Sequence, residues 1–270
     1  MIFVNNQYYT SKYFNDGSYY IVFNNKELPN PTTITWLFED NEEMFALMSL
    51  TRHIQETCPN VILHMPYVPN ARQDRAPSSY DVFTLKYFAE FINNLHFTQV
   101  KIFDPHSDVT AALLDRVQVI SPRECIQQVL DKIPDALIMY PDSGSAKKYG
   151  SLFKTPYLRG IKVRNFETQK IEAFQLVGTG TDVRDRNILI VDDIGGTGHT
   201  LFQAARELKN LGAAHVYVYV SHCENTILGP HINGQSLLDI PELITKLYTT
   251  NSIFHGAHPK IEIIKDFTQP

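Results

Sequence analysis

The chain has 270 residues, of which 43% are hydrophobic and 20% are charged, and its formal net charge at pH 7 is -5. The composition is that of a soluble globular protein, and the negative charge argues against a nucleic-acid binder. We find neither an apolar run near the roughly 18 residues that span a membrane nor a signal-peptide pattern. The three cysteines lie far apart, which predicts a reducing, cytoplasmic location with neither disulfide nor zinc.

In chain order, short apolar runs that predict strands alternate with segments of helical spacing. The predicted strands are 19–24, 33–38, 61–65, 100–103, 136–140, 188–191 and 215–220, and the predicted helices are 42–56, 81–95, one that starts near residue 121, and 201–211. Ser121 and Glu124 are spaced as a capping box with Pro122 between them. The alternation predicts an α/β fold with mainly parallel sheets, divided between residues 118 and 119.

Polar or glycine-rich clusters follow four of these predicted strands. The clusters begin after Met65, Phe103, Tyr140 and Val191. The carboxyl ends of parallel strands share one edge of a sheet, and open α/β sheets bind their ligands at that edge. The sequence therefore predicts a ligand site built from these clusters.

The cluster after Val191 is the most informative. Its candidate binding residues are Asp192, Asp193, Gly195, Gly196, Thr197, Gly198, His199 and Thr200. Glycines let the backbone approach a ligand, and the start of the following helix offers N–H groups that favour an anion. The carboxylates can accept hydrogen bonds from sugar hydroxyls or hold a divalent cation. The pattern therefore predicts a site for a phosphorylated sugar.

Taken together and in this order, the four clusters resemble those of the ribose-phosphate pyrophosphokinases. The matching strings are PYVPNARQDR at 66–75, FDPH at 103–106, YPDSG at 140–144 and VDDIGGTGHT at 191–200. The ARQDR string is highly specific, whereas all type I phosphoribosyltransferases share a version of the last string. There is no Walker A string, so ATP must be held by other residues.

The resemblance implies two tandem type I phosphoribosyltransferase-like domains. The first would span 1–118 with an ATP-binding loop at 66–79, and the second 119–270 with an acceptor loop at 192–200, the final strand packing back on the first domain. Enzymes of this family use Mg²⁺ and move the βγ-diphosphate of ATP onto the anomeric hydroxyl of ribose 5-phosphate, with release of AMP.

The resemblance also assigns roles to individual residues. It implies ATP binding by Arg72, Gln73, Asp74 and Arg75, magnesium binding by His106 and Asp142, and catalysis by the loop residues Lys162 and Arg164. Asp192 and Asp193 would hold the ribose hydroxyls, and the loop after them the 5-phosphate. Lys147 and Lys148 are instead interpreted as a solvated helix face.

The acceptor loop departs from the family pattern at two positions. Gly196 stands where the family carries an acidic residue, and His199 where it carries glycine. One consequence is low activity. Another is an acceptor with an extended 5-phosphate, such as ADP-ribose, which a phage-type branch converts to ADP-ribose pyrophosphate for NAD salvage.

Other readings of the chain also stay open at this point. They are a phosphoribosyltransferase and a non-catalytic subunit of a synthetase. In each case we expect a homo-oligomer in the cytoplasm (the host cytoplasm if the protein is phage-encoded), with small-molecule substrates and neither nucleic acid nor membrane as a partner.

Overall fold

The computed structural model describes residues 1–23, 27–164, 171–177 and 182–269. They form two compact units, one of Met1–Ser121 with Asp266–Pro270 and the other of Pro122–Lys265. The sequence placed the boundary between residues 118 and 119. Among the described residues, none of the helices is both long and apolar enough to cross a bilayer.

The first unit is built on a six-stranded sheet. Its elements are β1 (Ile2–Val4), β2 (Gln7–Tyr8), β3 (Thr10–Tyr13), β4 (Tyr19–Val22), β5 (Thr32–Trp36), α1 (Glu43–Gln55), β6 (Val61–Met65), α2 (Thr84–Asn93), β7 (Gln99–Phe103), α3 (Asp108–Leu113) and β8 (Val117–Ile120). The sheet order is β2-β1-β5-β6-β7-β8, with β3 and β4 as a separate hairpin. Strands β5 to β8 are parallel, and β1 is antiparallel to both of its neighbours.

Apolar residues at helical spacing attach α1 and α2 to this sheet. In α1 the side chains of Leu47, Leu50 and Ile54 are almost fully buried, and Leu85 and Ile92 are buried in the same way in α2. Burial of such side chains is the main force that holds a helix against a sheet. The loops that follow β6 and β7 are thereby fixed at one edge of the sheet.

The second unit is built on a seven-stranded sheet. Its elements are α4 (Arg123–Lys132), β9 (Leu137–Tyr140), α5 (Ser143–Tyr149), β10 (Tyr157–Arg164), β11 (Ile171–Val177), β12 (Asn187–Gly195), α6 (His199–Asn210), β13 (His215–Cys223), β14 (Lys246–Thr250) and β15 (Ile261–Lys265). The order is β11-β10-β9-β12-β13-β14-β15. Among the strands of this unit that the structure describes, only the β10–β11 pair is antiparallel. The predicted α/β fold with mainly parallel sheets is confirmed.

Strand β12 lies near the middle of this sheet, between β9 and β13. Its residues Ile188 and Ile190 are fully buried and pack with Leu201, Ala205 and other residues of α6 in one apolar core. A central parallel strand covered on both faces is apolar throughout, which explains the run 188–191. The register of β12 is consequently fixed, and so are the polar residues at its end.

Several local predictions differ from the structure. The capping box at Ser121 is wrong, because the helix begins at Arg123 and the residue that precedes it is Pro122, which forms no side-chain cap. The sequence also failed to predict ten elements, namely β1, β2, β3, β8, α3, α5, β10, β11, β14 and β15. Strand β15 pairs with β14 inside the second unit, and Phe267, two residues beyond it, contacts the rings of His64 and Phe103 in the first unit's core.

Candidate functional site

The two acidic residues at the end of β12 differ in their surroundings. Strand β12 continues past its apolar run, so both lie within the strand rather than after it. Asp193 is 8% exposed, whereas Asp192 is partly exposed, and the Asp193 N–H donates to Asp192 Oδ1 at 3.1 Å. Side chains alternate between the faces of a strand, so the pair presents carboxylate oxygens on two sides of the chain.

Two glycines let the chain turn closely after these carboxylates. A Cβ at Gly195 would lie 3.0 Å from Cγ2 of Val220 on the neighbouring strand. Gly198 has a φ of 87°, in the left-handed region, and a Cβ there would meet Leu237 Cδ2 at 2.9 Å and Ile227 Cδ1 at 3.1 Å. Gly198 therefore meets both requirements that favour glycine, a positive φ and a close neighbour.

Helix α6 begins directly after this turn. The first N–H groups of a helix have no partner within the helix, and Gly198 provides no side-chain cap for them. The hydroxyl of Thr197 lies 3.0 Å from Nδ1 of the exposed His199. The loop from Thr197 to Thr200 thus presents N–H and hydroxyl donors beside the carboxylates, an arrangement suited to a phosphate.

Asp142 is the N-cap of α5. Its Oδ1 accepts hydrogen bonds from the N–H groups of Gly144 and Ser145, both at 3.0 Å. The Ser145 hydroxyl in turn lies 3.3 Å from the Asp142 N–H, which completes a capping box. Asp-Ser-Gly is typical of turns as well as of helix starts, and here it begins a helix.

Lys148 was interpreted from the sequence as part of a solvated helix face, and that interpretation is wrong. Helix α5 brings its Nζ to 3.8 Å from Asp193 Oδ2, and the Lys148 side chain is only 27% exposed. Its neighbour Lys147 is exposed, as predicted. A pair of adjacent lysines carries no sequence signal that tells the partly buried one from the solvated one.

The loop after β6 carries the predicted ATP-binding residues. Arg72, Gln73 and Arg75 are exposed, whereas Asp74 is only 7% exposed. Arg75 donates to both carboxylate oxygens of Asp74, from Nε at 2.7 Å and from Nη2 at 3.2 Å. This hydrogen bonding lowers the pKa of Asp74, with smaller contributions from Ser107 and His106. Asp74 therefore anchors the loop and orients one of its arginines.

The predicted metal ligands belong to different units, His106 to the first and Asp142 to the second. Within the described parts of the chain, no group of three or more His, Cys, Asp or Glu side chains could hold a metal ion. Magnesium, however, usually binds through one or two carboxylates, water and substrate phosphates. A carboxylate has acceptor capacity beyond one cap, so Asp142 fits this role better than the exposed imidazole of His106.

Lys162 and Arg164 lie in β10, opposite Phe174 and Ile171 of β11. The backbone of both residues therefore lies in a strand rather than in the loop that the resemblance implied. The side chains of Lys162 and Arg164 lie outside the described part of the structure. Their catalytic role stays a prediction that the resemblance alone supports.

Comparisons with known proteins agree with this arrangement. The family model of the phosphoribosyl transferase domain matches residues 154–237. The ribose-phosphate pyrophosphokinase of Thermococcus kodakarensis is 28% identical over 217 residues, which are 78% of this chain and 76% of that protein. Ribose-phosphate pyrophosphokinase 1 of Listeria monocytogenes is 28% identical over 222 residues, 78% of this chain and 65% of that protein.

The relative from Pyrococcus furiosus, also a ribose-phosphate pyrophosphokinase, is 28% identical over 162 residues, 58% of this chain and 57% of that protein. For this relative and the Listeria protein, the matched region is thus less than two thirds of their length. Among solved structures, phosphoribosylpyrophosphate synthetase from Mycobacterium smegmatis has a TM-score of 0.77 and 17% identity, and the match covers 97% of this chain and 86% of that one.

Fold and site together define a protein with two phosphoribosyltransferase-like domains, the second of which carries the carboxylate pair and the phosphate-type loop. Within this class, the order of the four motifs and the relatives from Thermococcus kodakarensis and Listeria monocytogenes indicate the ribose-phosphate pyrophosphokinases. The chain is thus similar in sequence to ribose-phosphate pyrophosphokinases over 78% of its length.

The turn at Gly198 can be tested by comparison with Gly234, which also has a positive φ but has no atom within 4 Å of the position that a Cβ would take. Both Gly→Ala changes should cost about 1–2 kcal/mol of left-handed strain. Gly198→Ala should cost about 1–3 kcal/mol more, because its methyl group overpacks against Leu237 and Ile227. Urea unfolding measures both, and equal losses would show that the contact is unimportant.

The Asp74–Arg75 pair should make stability depend on pH. Because folding lowers the pKa of Asp74 below its ordinary 3.8, the ionised carboxylate stabilises the fold above that pH, and this stabilisation is lost as the pH falls through the folded-state pKa. Asp74→Asn should therefore lower the free energy of unfolding at pH 7, by a margin that shrinks below about pH 4.

The control for this experiment is Asp115→Asn, since the Asp115 side chain is 58% exposed and lies 4.0 Å from Arg116. That variant should unfold with the same free energy as the original chain at pH 7. A deficit in Asp74→Asn that does not change between pH 7 and pH 3 would contradict the ionic explanation.

Proposed function

We propose that the chain is a Mg²⁺-dependent ribose-phosphate diphosphokinase. It transfers the βγ-diphosphate of ATP to the anomeric hydroxyl of ribose 5-phosphate and gives phosphoribosyl pyrophosphate and AMP. The observation that carries the proposal is the adjacent placement, in one β12–α6 connection, of two carboxylates and a loop of anion-binding donors. The names of the curated relatives support the same reaction.

The acceptor is assigned to the second unit. Asp192 and Asp193 would accept hydrogen bonds from the ribose hydroxyls, because carboxylates are strong acceptors for such donors. The 5-phosphate would bind the first N–H groups of α6 and the hydroxyls of Thr197 and Thr200, in the field of the helix dipole. Both ends of the sugar phosphate are then fixed, which orients the anomeric hydroxyl.

ATP is assigned to the loop that contains Arg72, Gln73 and Arg75. Arginine suits phosphate recognition because its planar guanidinium donates two parallel hydrogen bonds. The pairing with Asp74 limits the rotamers of Arg75, so less conformational entropy is lost when a nucleotide binds.

In the reaction, the anomeric oxygen forms a bond to the β-phosphorus and the bond from that phosphorus to the oxygen shared with the α-phosphate breaks. The electron pair remains on AMP, and the hydroxyl proton is released. Lys162 and Arg164 would offset the charge that develops on the transferred group. Mg²⁺, when bound through Asp142 and the phosphates, would withdraw charge from the phosphate oxygens of the transferred group.

The decisive assay measures AMP release from ATP and Mg²⁺ with ribose 5-phosphate, with ADP-ribose in a second arm. We expect AMP with ribose 5-phosphate, since the relatives named above support that acceptor and none of them supports ADP-ribose. Absence of AMP in both arms would refute the proposal. Pyrophosphate-dependent loss of a base from a nucleotide, without ATP, would indicate a phosphoribosyltransferase.

Oligomeric state and location are further proposals from the resemblance. We expect a homo-oligomer, which sedimentation would measure, and a cytoplasmic enzyme without nucleic-acid or membrane partners.

The carboxylate pair can be tested by the double change Asp192→Asn and Asp193→Asn. We expect the KM for the acceptor to rise about tenfold or more, because hydrogen bonds to charged groups contribute about 1.5–3 kcal/mol each, while the KM for ATP stays nearly the same. Asp185→Asn is the matched control, since Asp185 is exposed near the start of β12. An equal loss of ATP binding would show that the acceptor site is misassigned.

A further inference from the structure

Helix α5 is fixed to the sheet at both of its ends. Asp142 caps its first turn, and at its last residue the Tyr149 carbonyl accepts a hydrogen bond at 3.2 Å from the hydroxyl of Tyr140, which is in β9. Both tyrosines are almost fully buried, with their rings stacked at a centroid distance of 6.2 Å. A side chain carried by this helix therefore has a defined position relative to the neighbouring strand β12.

Lys148 lies on this helix, and its side chain extends to the carboxylate pair. Its Nζ lies 3.8 Å from Asp193 Oδ2 and 5.1 Å from the centroid of the Tyr149 ring. The two side chains of the ion pair, Lys148 and Asp193, are 27% and 12% exposed, respectively, so water screens the pair only in part. Successive residues of a helix point about 100° apart, which accounts for the exposed side chain of Lys147 next to it.

The two carboxylates have opposite effects on the binding of a sugar phosphate. Recognition of its hydroxyls requires charged carboxylates, but two adjacent carboxylates repel the phosphate that the same molecule carries. A cation beside one of the carboxylates reduces this repulsion. Lys148 occupies such a position beside Asp193, with its Nζ 3.8 Å from Oδ2.

We propose that Lys148 is a positioning residue for the anionic acceptor: it holds the Asp193 carboxylate in place and offsets part of the negative charge that the sugar phosphate meets. This inference rests on the proposed function and adds one residue to it. Lys148 contacts Asp193 rather than the acceptor itself.

The test compares Lys148→Met with Lys147→Met, which removes the same charge from the same helix. We expect the acceptor KM of Lys148→Met to rise roughly five- to tenfold, the size of a partly screened ion pair, with kcat and the ATP KM nearly unchanged. Lys147→Met should match the original chain. Lys148→Arg keeps the charge and should restore most of the acceptor affinity.

A second measurement separates this inference from the proposed reaction. Binding of ribose 5-phosphate alone, followed by calorimetry or by its ³¹P resonance, needs no turnover. If the original chain binds it but releases no AMP, the proposed reaction fails and the role of Lys148 is still measured by the same change in Kd.

Three outcomes would overturn the inference: equal acceptor KM values in the two methionine variants, a loss in kcat rather than in acceptor KM, or no recovery in Lys148→Arg. Thermal unfolding of each variant checks the fold. If Lys148→Met is unstable, Lys148→Gln provides the neutral side chain, and the same outcomes apply.

Discussion

The connection from β12 to α6 depends on the backbone of Gly198, which adopts a left-handed conformation and has close neighbours where a side chain would begin. Gly198 has a φ of 87°, and a methyl group on its Cα would force the side chains of Leu237 and Ile227 to shift. The buried residues of β12 fix the chain before this turn, and the apolar face of α6 fixes the chain after it. Carboxylates and helix N–H groups are consequently held on either side of a connection that cannot shift without unpacking the core.

Helix α5 places a positive charge beside the carboxylates of this connection. A capping box begins the helix and a buried tyrosine pair holds its end, so that one lysine lies beside Asp193. In the first unit, a carboxylate and an arginine make a similar arrangement in the loop after β6, where Asp74 orients Arg75. In both units an acidic side chain and a basic one fix each other before any substrate is present.

The parts of the fold that follow from local sequence could be predicted. The β-branched run of β12, the glycines after it and the periodic apolar residues of α6 each determine their structure through backbone sterics or burial. Helix α5 was missed because Asp-Ser-Gly is typical of both turns and helix starts. The capping box predicted at Ser121 failed although its spacing was right, because the helix there begins one position later, after Pro122.

The site itself could be predicted only in part. Asp192, Asp193 and the loop to Thr200 lie together because they are adjacent in sequence. The contact of Lys148 with Asp193 depends on how α5 packs beside β12, which no local pattern encodes. The burial of Asp74 next to an exposed Arg75 is likewise a tertiary result, since the sequence presents both only as members of one charged string.

The most direct test of this account is a crystal structure of the protein with ribose 5-phosphate, Mg²⁺ and a non-hydrolysable ATP analogue. The account predicts the 5-phosphate within hydrogen-bonding distance of the first N–H groups of α6, and the ribose hydroxyls on Asp192 and Asp193. A sugar phosphate bound elsewhere, with the loop from Thr197 to Thr200 turned away from it, would contradict the account.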